Sequence, residues 1–312
     1  GGEGSVPDVG ELVEAVLARA LKGGADFAEV YAQRAKKRRM KVRQGALEEA
    51  LSGLDYGAGV RLFFGTEVVY AYTNDLTQEG LMEALETLLR AKGALGKVDE
   101  GGKGGLDFRK ATPKGLHAPK VPYGEKDKRY RLERLLEAEA GARIAPAIKQ
   151  VEASLLEWEE EVLVANTEGV FAEEKRVRTR LFVLAVAQDG AEVPTGYSAP
   201  GKSVGLELFD LYPPKAVGEK AARQALTNLK ARPAPGGTFP VVVGPGFGGV
   251  LFHEAVGHLL ETTSVARKAS VLADKLGEVV ASPAVTYIDD GTLPHAWGST
   301  EMDDEGRPTE RT

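Results

Sequence analysis

Apolar residues recur at Val9, Leu12, Val13, Val16, Leu17 and Leu21, just after Asp8, a residue suited to capping a helix. This spacing keeps one stripe of a 3.6-residue helix apolar, and Gly23-Gly24 ends it. The period then shortens. Segments 27–31, 40–44, 46–51, 60–64 and 67–72 read as strands, punctuated at Gly45, Gly53 and Gly57. Asn74-Asp75 opens a second helix carrying Leu81, Leu85, Leu88 and Leu89. Residues 93–124 are rich in Gly, Lys and Pro, including Gly101-Gly102-Lys103-Gly104-Gly105, and read as a long loop or linker.

The same order then returns. A helix from about residue 126 presents Tyr130, Leu132, Leu135, Leu136 and Ala140. Segments 150–158, 161–165, 170–172, 178–188 and 192–208 read as strands, with a hairpin turn at Asn166-Thr167-Glu168-Gly169. Tyr212-Pro213-Pro214 leads into a helix through Ala221, Ala222, Ala225 and Leu226. Beyond it, 239–243 reads as a buried strand, 250–260 as a helix, and 279–280 and 285–288 as short strands. Two acidic turns follow, Asp289-Asp290-Gly291 and Asp303-Asp304-Glu305-Gly306. The expectation is an α+β protein with antiparallel sheet in two regions, 1–120 and 121–312.

Composition narrows the field. The 312 residues are 43% hydrophobic and 28% charged, an ordinary globular mix. No stretch approaches the roughly 18 apolar residues of a membrane span. Gly1-Gly2-Glu3-Gly4-Ser5 shows no charged region ahead of an apolar core, so no signal peptide is expected, no membrane association, and a cytoplasmic location. With no cysteine in the sequence, disulfides, Cys ligands and a Cys nucleophile are excluded within these residues. The net charge of −6 argues against nucleic acid as a partner. The basic run from Lys36 to Arg43 reads as the solvated face of a strand, because no aromatic platform interleaves its charges.

One segment concentrates chemistry: His253-Glu254-Ala255-Val256-Gly257-His258. Two imidazoles can ligate a metal, and a carboxylate beside them can accept a proton from water. The spacing is unusual. Histidines four apart lie about 40° apart around a helix, but five apart they diverge by about 140°. A wide turn with i→i+5 bonding would bring them together, and Gly257 would lend it backbone freedom. Glu261, a turn beyond, is placed to hydrogen-bond an imidazole and fix its orientation. On the residues alone, metal ligation and an ordinary helix both fit. Gly244-x-Gly246-x-x-Gly249 matches a dinucleotide fingerprint in letters, but Pro245 stiffens it and the surrounding βαβ alternation is missing. The acidic turns lack EF-hand spacing and read as structural, and His117 and His295 as incidental.

The run from His253 to Glu261 resembles the HExxxH helix of the TldD/PmbA family of zinc metallopeptidases. The resemblance extends to Asn166-Thr167-Glu168-Gly169, Pro240-Val241-Val242-Val243, Ala269-Ser270-Val271, Lys275-Leu276-Gly277-Glu278, Ile288-Asp289-Asp290-Gly291-Thr292 and the segment from Asp303 to Thr309. It is dense over 238–312 and looser elsewhere. It implies a TldD-type subunit hydrolysing unfolded or flexible peptides, with Zn2+ held by His253 and His258 and Glu254 as general base. It also implies a homodimer, or a heterodimer with a PmbA/TldE-type subunit. Two departures stand out. The family's third ligand is a Cys from a C-terminal region, which is expected to be absent from this chain. Thr263 also stands where relatives tend to carry Asp. A non-catalytic partner or scaffold subunit with an incomplete metal site is the alternative.

Overall fold

The computed structural model describes residues 9–93, 106–111 and 113–312. The expected cap Asp8 and the glycine-rich run 101–105 lie outside them. The first helix, α1 (Val9–Lys22), turns Val13, Val16, Leu17 and Ala20 inward, as its periodicity predicts. Two long strands follow, β1 (Phe27–Arg43) and β2 (Ala46–Phe64), then β3 (Glu67–Thr73). Each long strand absorbs two of the short ones expected. Gly53 and Gly57 do not interrupt β2, because cross-strand pairing to Lys37 and Gln33 carries the ladder through them. Helix α2 (Gln78–Ala91) is capped by Thr77, whose hydroxyl accepts from the Gly80 amide at 3.1 Å. It buries Leu81, Leu85, Leu88 and Leu89.

A three-residue strand β4 (Arg109–Ala111) precedes helix α3 (Lys128–Ala142), which Asp127 caps by accepting from the Tyr130 amide. Strands β5 (Ile148–Asn166) and β6 (Val170–Ala187) form the expected hairpin. At its turn the Asn166 side chain accepts from the amides of Glu168 and Val170. The expected long strand over 192–208 is reduced to β7 (Thr195–Ser198) and β8 (Gly201–Lys202), followed by the short helix α4 (Leu208–Leu211). Helix α5 (Pro214–Leu229) starts on a proline, whose missing N–H costs nothing at a first helical turn.

The strands make one sheet in the order β3-β2-β1-β5-β6-β4, with β7 and β8 also paired to β6. All pairings are antiparallel except β4 with β6. The fold class is therefore α+β, as expected. The sheet runs across the boundary expected near residue 120. By compactness the described chain divides into one unit that runs up to Ala231 and includes Asp290–Thr312, and a second of Arg232–Asp289. One core lies between α1, α2 and β1–β3, around Leu17, Leu62 and Leu85. Another lies under α3 and α5, around Leu135, Leu155 and Leu181. Helices α3 and α5 pack with backbones in contact at Gly218, where an added Cβ would stand 1.9 Å from the Ala138 carbonyl oxygen.

The basic run lies on β1 among carboxylates. Arg38 reaches Glu157 and Glu159, Lys41 reaches Glu48 and Glu152, and Arg43 bonds Glu152 at 2.8 Å. Most are at the surface, where each pair is worth up to about 1 kcal/mol. Arg131 of α3 is different: it is buried and meets buried Glu157 through two bonds of 2.7 and 2.8 Å. Its remaining N–H groups donate to the carbonyls of Tyr123 and Lys126. Removing one member of such a pair strands a charge away from water, at about 3–5 kcal/mol. Arg131→Met is therefore expected to lower unfolding free energy by that amount in urea titration. Loss of less than about 1 kcal/mol would mean that Glu157 finds water or another partner.

Candidate metal centre

The unit Arg232–Asp289 differs in kind. None of the described residues 232–289 is in a strand. The strands expected at 239–243, 279–280 and 285–288 are not formed: an apolar run becomes a strand only where another strand completes its hydrogen bonds, and Val241, Val242 and Val279 stand largely exposed. The Gly244–Gly249 turn leads into helix α6 (Gly249–Ala255), and a short helix α7 (Thr262–Ala266) follows.

The expected single helix over 250–260 is broken in the middle of the motif. The Val256 amide still donates to the Phe252 carbonyl at 2.9 Å, but φ −129° and ψ −47° take Val256 out of the helical region. The chain continues as a 3-10 turn, Gly257–Leu260, closed by the Leu259 amide on the Val256 carbonyl. The expected wide turn is thus replaced by a break followed by a tighter turn. One rotated residue re-aims everything after it, so no inserted i→i+5 bond is needed. Nor does Gly257 adopt a positive φ. Its lack of a side chain serves space instead: a Cβ there would stand 2.9 Å from the Tyr287 hydroxyl and 3.5 Å from His253 Nδ1.

The break brings His253 and His258 together, with ring centroids 4.4 Å apart. One ligand atom from each of His253, Glu254 and His258 lies within 4.8 Å of the others. Among the described residues no other group of three or more His, Asp or Glu side chains converges in this way. Glu254 Oε2 is 3.5 Å from His258 Nε2, and Glu261 Oε1 is 2.7 Å from His258 Nδ1. The hydrogen bond that His258 donates to Glu261, then the charges of Glu261 and Glu254, hold the His258 imidazolium above the usual imidazole range. In the neutral ring an Nδ1–H donated to Glu261 leaves the Nε2 lone pair free on the side facing Glu254. The two imidazole nitrogens suit a borderline divalent ion such as zinc and supply two of the three protein ligands that a catalytic zinc takes, with the Glu254 carboxylate beside them.

Other expected features lie in the larger unit. Asp290 Oδ1 accepts from the amide and hydroxyl of Thr292, and Asp303 Oδ1 from the amides of Glu305 and Arg307, so these side chains close their own turns. His117 and His295 form a pair: their ring centroids are 5.7 Å apart, and the His295 amide donates to His117 Nδ1 at 3.0 Å. His295 Nδ1 meets the Ser203 carbonyl at 3.0 Å. Tyr287 escaped the sequence reading altogether. It sits 29 residues beyond the motif, in a segment read as a strand, and no local signal ties it to the histidines.

This α+β body, together with an exposed His–Glu–His trio on a broken helix, defines a protein with a candidate metal-ligating centre. Three family profiles match it in succession: PmbA/TldA metallopeptidase domain 1 over 28–92, the central domain over 120–229 and the C-terminal domain over 236–312. The chain belongs to the PmbA/TldD family. It is 33% identical over 295 residues to the Haemophilus influenzae metalloprotease TldD homolog, covering 91% of this chain and 60% of that one. It is 30% identical over 287 residues to a metalloprotease of Methanothermobacter thermautotrophicus, covering 92% and 61%. Its fold is similar to TldE from Thermococcus kodakarensis, with a TM-score of 0.71, 19% identity, and coverage of 96% of this chain and 66% of that one. The chain spans about 60% of the length of the curated relatives it matches.

The histidine pair gives a pH test. Burial, then the neighbouring His295, hold the His117 imidazolium below its ordinary value, partly opposed by Glu174 and Glu301. A depressed folded value means that the unfolded chain binds the proton more readily. His117's contribution is therefore present above about 6.5, its ordinary value, and is lost as pH falls below that toward the folded value. Urea unfolding between pH 7.5 and 5 is expected to show stability declining with acid, with a shallower decline in His117→Gln. An unchanged slope would assign the acid sensitivity elsewhere.

Proposed function

We propose that this chain carries the metal-binding and proton-transfer machinery of a TldD-type zinc peptidase acting on unfolded or flexible peptides. The observation that carries this reading is the convergence of His253, Glu254 and His258 within 4.8 Å despite their five-residue spacing. Family membership and the metalloprotease names of the relatives support it.

In this reading His253 and His258 hold the zinc ion. A zinc ion held there would supply Lewis-acid polarisation of the scissile carbonyl and a lowered pKa for water. Glu254 takes the proton from the attacking water and delivers it to the departing amine as the C–N bond breaks. Glu261 fixes the tautomer and orientation of His258 through its 2.7 Å bond. The trio is open to solvent, with Glu254 63% and His258 47% exposed in their side chains, so an extended peptide has access to it. The working assembly is a dimer, with a second copy or with a PmbA/TldE-type subunit. The likeness of this fold to TldE supports a partner of related shape.

Elemental analysis after dialysis separates the roles. The wild type is expected to hold about one zinc per chain, and His258→Ala to lose it. Glu254→Gln should keep its zinc yet lose hydrolysis of an unstructured peptide by at least about 100-fold, the range of general-base loss. Zinc lost in Glu254→Gln would make Glu254 a ligand rather than the base. Absence of zinc in all three proteins would favour the non-catalytic scaffold.

A further inference from the structure

Acyl transfer through a tetrahedral intermediate needs a donor for the oxygen that becomes negative, commonly a hydrogen-bond donor about 3 Å from it. Resting on the peptidase reading above, we infer that Tyr287 supplies that donor through its phenolic hydroxyl. Three observations converge on it. The hydroxyl and His253 Nδ1 both lie within 3.5 Å of the point where a Cβ on Gly257 would stand, so the phenol lies beside the turn that carries the second histidine. Gly257 is what leaves room for it: any side chain there would meet the hydroxyl at 2.9 Å. The hydroxyl also has no hydrogen-bond partner among the described residues, and at 45% exposure Tyr287 is open to a ligand. Its donor capacity is therefore free.

During the reaction water adds to the carbonyl carbon, the C=O pair moves onto oxygen, and the Tyr287 O–H donates to that oxygen. When the C–N bond breaks the pair returns to form the new carboxyl, and the Tyr287 proton never leaves its oxygen.

Tyr287→Phe keeps the ring and removes only the donor, so it separates this role from simple packing on Gly257. Zinc content should be unchanged. The dissociation constant of a phosphinic peptide, a mimic of the tetrahedral species, measured by calorimetry on the zinc-loaded protein, should rise at least about 10-fold. kcat on a flexible peptide should fall by about 100- to 1000-fold, the usual cost of one oxyanion donor, with KM little changed. Wild-type affinity for the mimic together with wild-type kcat would overturn the assignment while leaving the peptidase reading intact. Zinc loss in Tyr287→Phe would overturn it in favour of a structural role. A wild type without zinc, or a fully active Glu254→Gln, would remove the peptidase reading and this inference with it.

Discussion

The larger unit depends on the pairing of β1 along both of its edges. From Phe27 to Arg43 it bonds to β2, and from Glu29 to Arg43 it bonds to β5. Those two neighbours come from either side of the long 93–124 segment, so this strand makes one sheet of two similarly ordered stretches of chain. Its side chains alternate accordingly. Val30, Ala32, Met40 and Val42 enter the cores on one face, where Arg38 also meets buried Glu157, while Lys41 and Arg43 on the other face find carboxylates on the flanking strands. The acidic residues on β2 and β5 act as cross-strand partners that allow seven basic residues between Arg34 and Arg43 to sit on one central strand without mutual repulsion.

In the smaller unit the decisive element is a single residue. A straight helix through His253 and His258 would point the two rings about 140° apart, and Val256 removes that conflict by leaving the helical region. The cost is modest, since only one helical residue is given up at the end of a seven-residue helix. The gain is a site assembled from neighbours in the chain.

Much of the fold was legible because the helices declare themselves. The apolar periods of α1, α2, α3 and α5, the asparagine turn at Asn166 and the proline start of α5 all follow from local chemistry. Strand lengths were not legible: glycines that usually end a strand were carried through by pairing to β1, a tertiary fact. The run 239–243 failed in the opposite direction, its apolar residues meeting no strand partner. Arg131 was hidden for a related reason. It lies between apolar residues of α3 and looks like a surface arginine until β5 presents Glu157 to it. At the site, the residue types and Glu261 were legible from motif and spacing. The way the spacing problem is solved was not, because a break and a wide turn leave the same letters in the sequence. Tyr287 was invisible because its relation to the motif exists only in three dimensions.

The exposure of the trio constrains how it can be held in place. At a solvated surface, charge pairs are screened and weak, so Glu254 and His258 at 3.5 Å cannot by themselves fix the geometry. What remains is local covalent reach and one short, charge-assisted bond. Glu261 follows His258 by three residues, and its short 2.7 Å hydrogen bond favours one orientation of the ring that the break has re-aimed. His253, Glu254, His258 and Glu261 thus form a unit of nine consecutive residues whose internal order needs little from the rest of the chain. Gly257 then has two reasons to be small. It lets the His253 ring approach the turn, and it leaves space for Tyr287, a side chain distant in the chain that lies beside it.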